Sequence, residues 1–177
     1  GQSPKSLNYY LDNNVFSAEV FGALYETLLG MDPVELGLYT PNIAEEWTIS
    51  DDKKVFTFRI DPEARWSDGI LITAEDVKWT FDAIMDPDHL TGPHKMALEL
   101  FREPEILGER QIRFRTDTVH WRNLSAVGGF HVLPKHAFED RDFNKINFEF
   151  PVVSGPYRLA EFKQGISASL ERRDNWW

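Results

Sequence analysis

The stretch from Ser50 to Ile84 limits the possible folds more than any other part of the chain, because each of its pieces has a local physical cause. Val55-Phe56-Thr57-Phe58-Arg59-Ile60 alternates, with Phe56, Phe58 and Ile60 on one face, which is the period of a half-buried strand. Ser50-Asp51-Asp52 and Ser67-Asp68-Gly69 punctuate it as turns. Thr73 is a good N-cap with the carboxylate of Asp76 three residues on, and Val77, Phe81 and Ile84 recur at helical spacing until Asp86-Pro87 stops the helix. The block reads as a strand, a turn and a capped amphipathic helix. A protein containing it mixes α and β.

The same reasoning extends along the chain. Residues 1 to about 16 read as an extended opening segment. Ser17 is expected to cap a helix with Val20, Phe21, Leu24 and Leu28 on one stripe, ended by Gly30. Short strands are expected between Tyr39 and Ile60, a loop from 86 leading to a short helix over 95–101, and an alternating strand over Gln111–Thr116. Gly128-Gly129 and Pro134 bracket a further strand and a helix start. A hairpin closes the sequence, Tyr157–Phe162 against Ile166–Leu170, with Ile166, Ala168 and Leu170 on one face.

Composition removes several function classes. The chain has 177 residues, of which 42% are hydrophobic, enough for a good core. Its 19 basic and 29 acidic residues leave a formal charge of -10, which repels phosphate backbones, so nucleic acid is not an expected partner. There are no cysteines, hence no disulfides and no thiolate chemistry. No apolar run approaches the ~20 residues needed to span a bilayer, and the start at Gly1-Gln2-Ser3-Pro4 reads as a mature or trimmed end.

Candidate chemistry is sparse. The histidines at 89, 94, 120, 131 and 136 are scattered, and none belongs to a His-Glu-x-x-His helix. Asp86, Asp88, His89 and His94 have the ligand types for a borderline cation, but around Pro87 and Pro93 they read as loop caps, and no metal is assigned. Glu75 and Asp76 are explained by the helix amino terminus, and Asp51, Asp52 and Asp68 by turns, so no catalytic carboxylate pair is assigned either. Trp47, Trp66 and Trp79 sit in packed patterns. Trp121, between strand and loop, is the tryptophan retained as a ligand surface, with burial as the alternative.

These segments also resemble a known family. Trp66-Ser-Asp-Gly followed by Thr73-Ala-Glu-Asp-Val resembles the signature of the family 5 extracellular solute-binding proteins, the peptide and nickel receptors of bacterial ABC importers. Ser6-Leu7-Asn8, Leu24–Leu29, Ile43–Trp47, Val132–His136, Ser154–Tyr157 and Glu171–Trp177 resemble further family segments, in the family's order. Tyr9 stands where the family usually has proline, Glu46 where it has serine, and Ile70-Leu71 where it has Thr-Pro. The run 133–143 is most similar to the oligopeptide branch.

The resemblance implies an α/β, mixed α+β fold of the periplasmic binding protein-like class II. Residues 1–28 and 123–177 would form part of the first lobe and 29–122 the family's inserted domain. Receptors of this family are much longer, so the chain is expected to be an amino-terminal part without the second lobe. It implies capture of a peptide-like solute for the permease subunits of an ABC importer, with no catalysis and no cofactor. The protein is expected to be a monomer in the periplasm or a cell-surface lipoprotein. Nickel chelate, an oligosaccharide or an opine on the same scaffold, and a cell-envelope hydrolase, are the alternatives. Counting from Ser6-Leu7 to Leu28-Leu29 puts Asn13, Asn14, Val15 and Phe16 on an extended stretch that contacts bound peptide by strand addition, while Asn13-Asn14 also reads as a simple turn. Gly92-Pro93-His94 resembles the Ser-Pro-Tyr loop of peptide receptors and makes His94 a ligand-binding candidate.

Overall fold

A computed structural model describes residues 6–11, 15–35, 37–146, 149, 151–163 and 166–177. After a 3-10 turn at Tyr9–Leu11, the chain forms helix α1 (Val15–Leu24) and strands β1 (Leu29–Met31), β2 (Tyr39–Pro41), β3 (Ala44–Ile49) and β4 (Val55–Ile60). Helices α2 (Ala74–Met85) and α3 (Gly92–Leu98) follow, then strands β5 (Glu105–Gly108) and β6 (Gln111–Arg115). Helices α4 (Asn123–Gly128) and α5 (Lys135–Phe138) lead to the closing strands β7 (Tyr157–Lys163) and β8 (Ser167–Arg172). Among the described residues, no helix is long and apolar enough to cross a membrane.

The centre is an antiparallel four-stranded sheet in the order β3-β4-β6-β5. Its register follows the alternation in the sequence: Phe56 lies opposite Phe114 and Phe58 opposite Ile112, so all four side chains leave the sheet on one face and are buried there. Helix α2 covers that face through Val77, Phe81 and Ile84, with the Phe81 and Phe114 rings 5.9 Å apart. The opposite face is charged, with Arg59 paired to Glu46 and both Arg113 and Arg115 reaching Glu105.

Helix α2 begins as its sequence requires. The Thr73 N–H donates to Asp76 Oδ2 at 2.9 Å, completing a capping box of the kind worth about 1 kcal/mol. In the preceding turn, Gly69 adopts φ +91°, where a side chain would be strained, and Trp66 is fully buried. This turn also docks on a distant segment: the Ser67 N–H donates to Val153 O at 2.8 Å, and the Val153 N–H donates to Ser67 Oγ at 3.0 Å. Further bonds bridge the same two regions. The Lys135 N–H donates to Asp76 Oδ1, the Leu133 N–H to Thr80 Oγ1, and the Asn144 side chain bonds Asp88 O and the Leu90 N–H. Burial pushes the Asp76 carboxyl above its usual range, against the opposing hydrogen bonds from the Thr73 and Lys135 amides.

Several expectations need correction. Helix α1 starts at Val15, so Val15 and Phe16 are helical rather than extended, and Ser17 is a buried residue inside the helix instead of its cap. The helix also ends at Leu24, well before Gly30. Neighbouring segments take over the backbone groups that further turns would have used: the Gly155 N–H donates to Leu24 O, the Glu26 N–H to Ser154 Oγ, and the Val132 N–H to Glu26 O. Gly30 belongs to β1, where a Cβ would come within 2.6 Å of Thr40 Oγ1. The short helix after the loop covers Gly92–Leu98, opened by Pro93, rather than 95–101. Between Gly129 and Pro134 there is a single bridge, Thr27 to His131, in place of a full strand. Strand β5 and helix α4 have no counterpart among the elements expected from the sequence, and Ile166, 82% exposed, sits in the turn before β8 rather than on the strand face of Ala168 and Leu170. Asn13 and Asn14 lie outside the described residues.

Candidate functional site

The 3-10 turn at Tyr9–Leu11, in a segment expected to be extended, carries two tyrosines into contact with two histidines from remote parts of the chain. The Tyr9 ring lies 4.4 Å from His131 and 5.6 Å from His94, and meets Phe21 of α1 edge-on at 5.8 Å. Tyr10 is buried and perpendicular to His94 at 4.8 Å, and its hydroxyl donates to the His131 carbonyl at 2.5 Å. His94 comes from α3 and His131 from the bridge to Thr27. Three separate segments therefore build one aromatic and imidazole cluster.

Burial sets its charge state. It holds the His131 imidazole down to about 4, with the neighbouring His94 pushing the same way, and it lowers His94 itself. Both phenols are pushed up by burial. At neutral pH the cluster is uncharged, and Tyr9, His94 and His131 are half-buried. Neutral rings of this kind pack against apolar groups and hydrogen-bond to amides.

The residues singled out in the sequence are partly gathered here. His94 is in the cluster, and Val15, at the start of the helix that carries Phe21, is 77% exposed. Trp121 is 78% exposed just before α4, which packs on α3; its ring neighbours are the Arg122 guanidinium at 4.7 Å and the His120 imidazole at 5.8 Å. Phe16 belongs to α1. The sequence reading missed Tyr9, Tyr10 and His131; its one signal was Tyr9 standing in place of the family's proline. Among the described residues, the four considered around Pro87 and Pro93 do not gather as a metal-ligand group: His89 bonds Ala83 O and stacks on Phe143, Asp86 accepts the Asp88 N–H, and His94 faces the tyrosines. A recess of about 770 Å³ near Asn8, Phe138 and Phe143 is spanned by the Arg141–Glu149 ion pair and contains none of these residues.

Comparison with known proteins decides the family. Residues 39–177 match the bacterial extracellular solute-binding proteins, family 5 Middle. The chain belongs to that family. Among similar proteins, the probable peptide-binding protein YejA of Agrobacterium fabrum is 32% identical over 162 residues, covering 87% of this chain and 26% of the relative. The family fold is equally clear in solved structures. The Haemophilus influenzae OppA complex with the peptide RPPGFSPFR aligns with a TM-score of 0.87 at 22% identity, over 100% of this chain and 38% of that one. NikZ of Campylobacter jejuni, in complex with Ni(L-His), aligns with a TM-score of 0.86 at 22% identity, over 99% of this chain and 35% of that one. The chain thus spans about a quarter of the curated relative. The mixed α/β architecture is that of one lobe of a class II periplasmic binding protein-like scaffold. The family is one of bacterial extracellular solute-binding proteins, and membership places this chain in that class.

Proposed function

We propose that this family 5 chain supplies one wall of a solute cleft in a receptor that captures peptide-like solutes and passes them to the permease subunits of an ABC importer. The observation that carries the reading is the uncharged cluster of Tyr9, Tyr10, His94 and His131. A peptide presents apolar surface and amide groups, and neutral aromatic and imidazole side chains satisfy both without demanding a charge. The YejA relative's description as a probable peptide-binding protein supports the choice of peptide over nickel chelate, oligosaccharide or opine. In this reading residues 1–28 and 123–177 belong to the first lobe, 29–122 to the inserted domain, and the receptor acts as a monomer. The helical start at Val15 changes the expected contact, because a helical backbone cannot add as a strand; Val15 would then meet the solute through its exposed side chain.

The test is a titration of the isotope-labelled chain followed by NMR. One wall of a cleft should bind weakly, with Kd on the order of millimolar, so trialanine should shift the resonances of Tyr9, His94 and His131 together, and Ni(L-His) should leave them in place. Shifts with the nickel chelate but not with the peptide would refute the peptide reading.

A further inference from the structure

We propose that His120, Trp121 and Arg122 form a ledge that binds the carboxylate of a peptide-like solute. This rests on the cleft reading above and extends it to the charge of the solute. Trp121 is among the most exposed large apolar side chains of the chain, and it is not loose. The buried Asn123 ties the loop down, its side chain donating to Thr118 O at 2.7 Å and its N–H to His120 O at 3.0 Å. The Arg122 N–H donates to His120 Nδ1 at 3.2 Å. A rigid backbone thus holds a tryptophan ring out into solvent.

Arg122 supplies the specificity. Its guanidinium carbon lies over the Trp121 ring, 4.7 Å from the ring centre and within cation–π range. Among the described residues it forms no ion pair, as is also true of Arg110 and Arg172, whereas Arg59, Arg102, Arg113, Arg115, Arg141 and Arg158 each have a carboxylate partner; of the three it is the one held over an aromatic ring. Asp117, five residues away, is held by Arg102 through contacts of 2.7 and 2.9 Å. A guanidinium held over a ring and without an ion-pair partner matches a carboxylate through two parallel hydrogen bonds. The net negative charge of the chain disfavours polyanions, so a solute with one carboxylate fits better than a phosphate chain.

The surroundings suit the rest of such a solute. Met96 and Leu100 lie one helical turn apart and are exposed, and Thr116 Oγ1 donates to Leu100 O, tying that end to the loop carrying exposed Val119. Helix α3, which carries His94 and Met96, packs on α4, whose start follows Trp121 and Arg122, so the ledge adjoins the element that carries His94.

The experiment follows the Trp121 indole N–H resonance, assigned with Trp121→Phe, while three probes are added up to about 20 mM, a range suited to millimolar affinity. Trialanine carries a terminal carboxylate, the amide of alanyl-glutamyl-alanine carries a side-chain carboxylate, and trialanine amide carries none. At least one carboxylate probe should shift the resonance about fivefold more than trialanine amide, and which one does so identifies the source of the carboxylate. Arg122→Gln should abolish the difference and Arg122→Lys should retain part of it, with unfolding midpoints unchanged because both side chains are exposed. Equal shifts from all three probes, or none, overturn the ledge. Shifts at Tyr9 and His94 without any at Trp121 refute the ledge and leave the cleft reading intact; the reverse pattern refutes the cleft reading alone.

Discussion

The hydroxyl of Thr80 offers the sharpest test of how the fold is held together. Thr80 is fully buried on α2; its Oγ1 donates to Asp76 O at 2.8 Å and accepts the Leu133 N–H at 2.9 Å. Thr80→Val keeps shape and volume but leaves the Leu133 N–H buried with no acceptor, since Leu133 has no exposed surface. The Asp76 carbonyl keeps its helical partner, so the loss is one orphaned donor, which typically costs about 2 kcal/mol. For a chain of this size that corresponds to a fall in Tm of about 4–8 °C. Thr80→Ser, by contrast, keeps both hydrogen bonds and loses one buried methyl, worth about 0.8 kcal/mol. The measurement is thermal and urea unfolding of the three proteins side by side. Packing alone ranks valine above serine; the hydrogen bond ranks serine above valine. A valine variant as stable as the parent would refute the reasoning.

Other predictions follow from the same structure. Phe81→Ala should cost about 3–5 kcal/mol by emptying the face between α2 and Phe114, whereas Lys78→Ala, which removes contacts to exposed Asp82 and Glu103, should cost no more than about 1 kcal/mol; urea midpoints compare them. His131 should make the protein acid-sensitive. Its imidazole is held at about 4 against an ordinary 6.5, so the unfolded chain takes up the proton first, and stability is intact above 6.5 and lost as pH falls towards 4, with a ceiling of about 3 kcal/mol. Asp76, raised by burial, works in the opposite direction, favouring the fold at low pH and losing that contribution as pH rises; the difference between parent and His131→Gln across the range isolates the histidine. Val15→Pro should shift stability by less than about 0.5 kcal/mol, because proline is well suited to the first residue of a helix; a large loss in a chemical denaturation curve would mean that the segment is extended after all.

The parts of the fold that were legible in the sequence are those fixed by neighbours. Phe56, Phe58 and Ile60 announce their strand by alternation, and Thr73 with Asp76 announces its helix by a bond between residues three apart. Gly30 was misleading because the residues after Leu24 have their backbone bonds supplied by residues 132 and 154–155, which no local pattern reveals. Strand β5 has only half-buried Ile106 to mark it and pairs on one side alone, so its alternation is too weak to read. The cluster was invisible for the same reason. Tyr10 and His131 are 121 positions apart, and only the folded chain joins them, whereas His94 was named from resemblance and Trp121 from its place between strand and loop.

The bridges from the α2 region to residues 133, 135, 144 and 153 use main-chain groups or short side chains at one end or both. Such links have almost no slack, because a hydrogen bond weakens steeply once its geometry departs from the ideal. Mechanically, the sheet with its helix and the later segments form a single stiff plate, although they are far apart along the chain. Any shift of α2 and the turn before it would therefore be felt at once by Leu133, Lys135, Asn144 and Val153.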